Sequence, residues 1–156
     1  MPDLDQVDHQ ILKLLQQDAK LNVNDIAQQL HLTKTPIYER IKRLERSGVI
    51  AKYVALVDRK KFTPSIIVFL TGSLNVSKFE QTQEFYEAVM DIDEVLECYL
   101  LGGDKDFFLK VIAKDLDSYH DFYSDKIASI PFVGEIRSSF VLKEIKHTTT
   151  IPNMGG

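Results

Sequence analysis

The chain has 156 residues, enough for one compact domain or two small ones, and its 44% hydrophobic and 27% charged content is that of a folded protein rather than a disordered or membrane-embedded one. A single cysteine, Cys98, excludes an internal disulfide; within the apolar run VLECYLL it reads as a small core residue in a reducing compartment. The formal charge of −4 is unevenly spread: residues 1–61 hold eleven Lys or Arg against eight Asp or Glu, and residues 62–156 eight against fifteen, which confines any polyanion contact to the first part.

The opening MPDLDQVDH is acidic and lacks an apolar core, so it does not read as a secretory signal, and runs such as Ile66 to Leu70 are far too short to span a bilayer. A cytoplasmic protein, nucleoid-associated if it binds DNA, is the expectation. Val7, Ile11, Leu12, Leu14 and Leu15 are spaced as one apolar helical face, with Asp5 or Asp8 as its cap. A second short helix follows in LNVNDIAQQLHL, where Asn24 reads as the cap and Ile26, Ala27 and Leu30 face inward. Ile37, Ile41 and Leu44 mark a third helix that Ser47 and Gly48 stop; Thr33 or Thr35 caps it, and either choice puts Pro36 in the first turn, where its missing N–H is harmless. Three short helices with a tight turn between the second and third form a helix-turn-helix pattern.

After Gly48 the period changes. VIAKYVALVDRKKF reads as one or two short strands, a wing or connecting strand, and DRKKFTP as the linker closing a domain of residues 1–61. Residues 62–156 then run strand (65–76), helix (78–90), strand (95–101), a turn at GGDKD, strand (107–114), helix (116–130) and strand (136–145). The order βαββαβ predicts a ferredoxin-like α+β domain: an antiparallel sheet with both helices on one face, facing it through Phe79, Phe85, Val89, Tyr119, Phe122, Tyr123 and Ile127. Apolar strands such as IIVFL and FFLKVIA leave too few polar positions for a wet second face, so sheet-to-sheet dimerisation is expected.

The third helix concentrates the chemistry. TKTPIYERIKRLER places five cations in fourteen residues of an acidic chain. In a helix-turn-helix this helix enters the major groove, so Lys34, Thr35, Tyr38, Glu39, Lys42 and Arg43 are the expected DNA-binding residues, with Arg40 and Arg46 towards a flank. Thr35 and Tyr38 can bond base edges or backbone, the cations attract phosphates, and Glu39 suits a groove only by accepting from a cytosine amino group. LLGGDKDFF is the second singular stretch. A hairpin turn accounts for it, but backbone N–H groups from Leu101, Gly102, Gly103 and Asp104 can also take a ligand carboxylate, while Asp104 or Asp106 takes an ammonium. His9, His31, His120 and His147 lack metal-ligand spacing, and no nucleotide loop or nucleophile elbow is present, so neither metal, cofactor nor catalytic residue is expected.

The chain resembles the leucine-responsive regulator/asparagine regulator family of transcription factors, the feast-or-famine regulators. The resemblance runs through Leu4, Asp8, Ile11, Leu12, Leu15, Asp18, Ala19, Ile26, Ala27, Leu32, Thr33, Arg40, Ile41, Leu44, Gly48, Val49 and Ile50, and resumes in a Gly-x-x-Asp-aromatic signature at Gly103, Asp106 and Phe107. It implies a winged helix that binds double-stranded DNA, joined to a domain that dimerises and assembles into an octamer or another ring of dimers, with an amino acid or similar effector held between dimers at the glycine-rich turn. Lys105 departs from the neutral or aromatic residue usual at its position, and the linker lacks the usual glycine. An effector-independent, architectural DNA-organising role is the alternative reading.

Overall fold

A computed structural model describes residues 3–75 and 79–152, and of residues 79 and 80 the backbone alone. They form two compact units: 3–56 together with 146–152, and 57–145. The short helix after residue 58 thus belongs to the second unit and the tail to the first. Among the described residues no helix is long and apolar enough to cross a membrane.

The first unit holds α1 (Gln6–Gln17), α2 (Val23–Gln29) and α3 (Lys34–Arg46) around Ile11, Ile26, Ala27, Ile37, Ile41 and Leu44. Asp5 caps α1 in a reciprocal box with Asp8, each side chain accepting from the other's backbone N–H. The cap of α2 is Asn22, not Asn24: its side chain accepts from the N–H groups of Asn24 and Asp25, so the helix starts one residue before the expected cap. Thr33 is the N-cap residue of α3, and Pro36 falls in the first turn. Helices α2 and α3 both end in a left-handed residue, His31 (φ 54°) and Gly48 (φ +75°), whose N–H groups donate to Gln28 and Glu45. The tail joins this unit through Gln16, whose amide accepts from Ile151 N–H (2.7 Å) and donates to Ile151 C=O (3.3 Å).

Residues 51–58 are neither helix nor strand, which corrects the expected connecting strand. The sequence has the apolar content of a strand, but a strand needs a partner's N–H and C=O groups, and among the described residues no segment pairs with it. The expected linker is also corrected, because Asp58 caps a short helix α4 (Arg59–Phe62).

The second unit continues with β1 (Ile66–Leu74), α5 (Phe79–Met90), β2 (Val95–Leu100), β3 (Phe107–Ala113), α6 (Leu116–Phe122) running into a π-helical turn (Tyr123–Ile127), and β4 (Val133–Phe140). The sheet order is β2-β3-β1-β4 with every pair antiparallel, as the βαββαβ pattern predicts. Val68, Leu70, Phe107, Leu109 and Val111 point towards the helices and meet Phe85, Val89, Tyr119, Phe122 and Ile127. Expected positions at Val76 and Lys78, and the side chain of Phe79, lie outside the described residues. The last strand starts three residues early and stops at Phe140, five before Ile145. Cys98 is exposed, which corrects its reading as core: it lies on β2, an edge strand, beside Tyr86, Met90 and Leu100, and partial burial raises its thiol pKa.

Candidate DNA interface and regulatory turn

Helix α3 buries Ile37, Ile41 and Leu44 and turns Thr35, Glu39, Lys42 and Arg46 outward at spacings of four, three and four, one continuous stripe. Lys34 and Tyr38, also exposed, flank it. The stripe is partly pre-ordered. Lys42 bonds Glu45 at 2.7 Å and lies 5.9 Å from the Tyr38 ring centroid, and Arg46 Nε donates to the Lys42 carbonyl at 3.2 Å. Glu45, absent from the expected set, accepts a second bond from the Tyr53 hydroxyl at 3.1 Å. The Lys42 bond holds the Glu45 carboxyl below its ordinary pKa, and the same bond raises the Lys42 ammonium.

Arg40 and Arg43 do not join the stripe as free cations. Arg40 Nη1 donates to Asp8 Oδ1 (2.8 Å) and Asp5 Oδ2 (2.6 Å), and Arg43 Nη2 donates to Asp8 Oδ2. Asp8 is fully buried, so its carboxylate is tolerable only because both oxygens are bonded and paired. Arg40, expected as a flanking phosphate contact, is therefore turned inward against α1. Its pKa is raised, first by the Asp8 bond and then by Asp5. The bond from the Asp8 N–H, followed by that from Arg40, holds the Asp5 carboxyl below its ordinary value. The sequence offered the caps but not this bridge, because the partners are 32 to 35 residues apart.

The second candidate site is a loop, 101–106, between β2 and β3. Leu101, Gly102, Gly103, Asp104 and Asp106 are all exposed. Asp106 fixes the loop: its N–H donates to Gly72 C=O (2.9 Å), its carbonyl accepts from Leu101 N–H (2.9 Å) and its Oδ2 accepts from Leu74 N–H (2.7 Å). Lys105 bonds Glu135 on β4 at 2.7 Å, which holds that carboxyl below its ordinary range. Neither loop glycine has the left-handed φ that a tight hairpin requires, and a Cβ on either would meet nothing within 4 Å. A cavity of about 610 Å³ in this unit lies at the other end of β3, among Arg59, Phe62, Leu96, Ile112, Lys114 and Phe122. Among the described residues no three His, Cys, Asp or Glu side chains gather as a metal site requires.

Residues 4–51 match the winged helix-turn-helix DNA-binding family and residues 67–151 the Lrp/AsnC ligand binding domain. The chain is 34% identical over 145 residues to the Bkd operon transcriptional regulator of Pseudomonas aeruginosa, covering 93% of this chain and 95% of that protein. It is equally 34% identical, over 149 residues, to the DNA-binding transcriptional activator DecR of Escherichia coli, covering 96% and 98%. The transcriptional regulator NMB0573 of Neisseria meningitidis, solved as a complex with L-Met, matches the fold with a TM-score of 0.91 at 33% identity, covering 96% and 97% of the two chains. A DNA-binding winged helix followed by this ligand-binding domain is the architecture of transcriptional regulators rather than enzymes, and the chain belongs to the Lrp/AsnC family as one of its DNA-binding regulators.

Proposed function

We propose that the protein reads a specific duplex sequence through α3 and that an amino acid or related effector at the loop 101–106 changes its DNA binding or its assembly. The observation that carries the first half is the outward stripe Thr35, Glu39, Lys42 and Arg46, with Lys34 and Tyr38 beside it, on the second helix of a helix-turn-helix. Thr35 and Glu39 offer base-edge chemistry and Lys34 and Arg46 phosphate attraction. Two copies related by a two-fold axis would read half-sites about 34 Å apart. Retardation assays on genomic fragments, the protein's own promoter region included, should find bounded sites whose affinity falls steeply with salt. Thr35→Ala should relax base preference by about 1–3 kcal/mol at one position of each half-site. Binding indifferent to sequence would sink this reading.

The effector half rests on the two glycines. The single chain's sterics do not require glycine at 102 or 103, so their use is explained by something that approaches the loop from outside. An amino acid suits the loop's chemistry: exposed backbone amides for a carboxylate, and the exposed Asp104 for an ammonium. Asp106 acts by fixing the loop. Because every expected site residue here is exposed, a shielded pocket needs a second surface, and another copy of the chain would supply it. A ligand held there would favour the assembled state. Calorimetry against the twenty amino acids should give a binder, and Gly103→Leu should abolish binding while leaving the melting temperature within a few degrees. Unaltered binding to Gly103→Leu would remove the loop from the effector site.

A further inference from the structure

We infer that Asp8, a residue of α1 remote from the groove-facing stripe, is a positioning residue for DNA reading: it locks the roll of α3 and withholds two of that helix's cations from the phosphates. The inference rests on α3 as the reading helix. Apolar contact alone leaves roll poorly specified, because Ile37, Ile41 and Leu44 form a narrow stripe and hydrophobic burial has no direction. Charge-assisted bonds have direction. Arg40 and Arg43 stand three residues apart on α3 and grip the two oxygens of one carboxylate, Arg40 at Oδ1 and Arg43 at Oδ2. The carboxylate is itself fully buried and bonded at Oδ2 by the Asp5 N–H (3.1 Å). Three points therefore fix the helix: the core stripe and two guanidinium groups.

The same bonds set the balance between specific and non-specific binding. Of the five cations on α3, Arg40 and Arg43 are committed to Asp8, and Arg43 has 52% of its side chain exposed next to the outward Lys42. Freed, it would reach solvent and any phosphate near it, adding attraction that carries no sequence information. Asp8 thus keeps reading with the stripe.

Asp8→Asn in the full-length protein tests this. The amide keeps the size but loses the charge, releasing Arg43 and leaving Arg40 with its bond to Asp5 alone. Operator affinity should fall about tenfold or more, on the scale of a mismatched base pair. Affinity for random duplex should hold or rise, with a salt slope steeper by about 0.9 as Arg43 gains a phosphate. Parallel loss of both binding modes would reduce Asp8 to a fold-stabilising residue and overturn the inference. Arg43→Gln keeps the Asp5–Asp8–Arg40 bonds and serves if Asp8→Asn does not fold. Its non-specific salt slope should match wild type while its operator preference falls; a slope lower by about one would make Arg43 a phosphate contact and overturn the inference. If α3 were not the reading helix, Thr35→Ala would leave base preference unchanged, an outcome separate from either of these.

Discussion

Gly72→Ala will destabilise the second unit by about 3 kcal/mol, near the upper end of overpacking penalties. A Cβ on Gly72 would stand 2.4 Å from Cζ and 2.7 Å from Cε1 of Phe107, and 2.9 Å from the Glu135 carbonyl oxygen. None of these neighbours yields easily. The Phe107 ring is fully buried and packs on Phe85 with centroids 4.9 Å apart, and the Glu135 oxygen belongs to the backbone of the paired strand β4. For a unit of this size the melting temperature should drop by roughly 15–20 °C. The loop 101–106 should be disturbed as well, since Gly72 C=O accepts from Asp106 N–H. Gly72→Ala combined with Phe107→Leu should be less destabilised than the sum of the single changes, because the smaller side chain vacates the contact. A loss of under 5 °C in the single variant would mean that the ring can swing away.

The two kinds of glycine mark what the sequence could and could not reveal. GGDKD stands out in the text of the chain, and its position between two strands was legible from their alternation. Its conformation was not: the six-residue loop has no left-handed glycine, and Asp106 is held through contacts with β1, more than thirty residues away. Gly72 sits inside a run that reads as plain strand, and its necessity comes from a ring 35 residues further on. The helix-turn-helix shows the same division. The periods of Ile37, Ile41 and Leu44 and the caps are local, so three helices could be read directly, with Asn22 missed by two positions because both asparagines suit a cap. That Arg40 and Arg43 answer to Asp8 is a tertiary fact, and charge counting alone assigns all five cations to DNA. Residues 51–58 fail in the opposite sense: their composition fits a strand, and the described residues supply no partner.

Phe108→Glu will convert the protein to a monomer and lower operator affinity by about two to four orders of magnitude, the range that linking two sites supplies. The helices cover one face of the sheet; on the other, Phe108 lies 5.2 Å from the Phe69 ring and 6.1 Å from that of Tyr99, which is 52% exposed. Among the charged groups of this face, Lys110 and Glu97 neutralise each other across β2 and β3 at 2.8 Å, while the exposed Arg137 lies further off, on the edge strand β4 opposite Thr71. A second copy presenting the same face would bury the rings over the neutralised Lys110–Glu97 pair and leave Arg137 at the rim, and a two-fold interface of this kind repeats each contact. A carboxylate at 108 would be desolvated twice in that interface, once from each copy, with Glu97 nearby adding repulsion. In the separated chain it stays wet, so secondary structure should survive. Light scattering at micromolar concentration should read one chain mass instead of a multiple, and the melting temperature should lose its dependence on concentration. Retained assembly with wild-type operator affinity would show that the dimer forms through another surface. Loss of assembly with affinity intact would show that one reading helix suffices, and the two-fold operator would go with it.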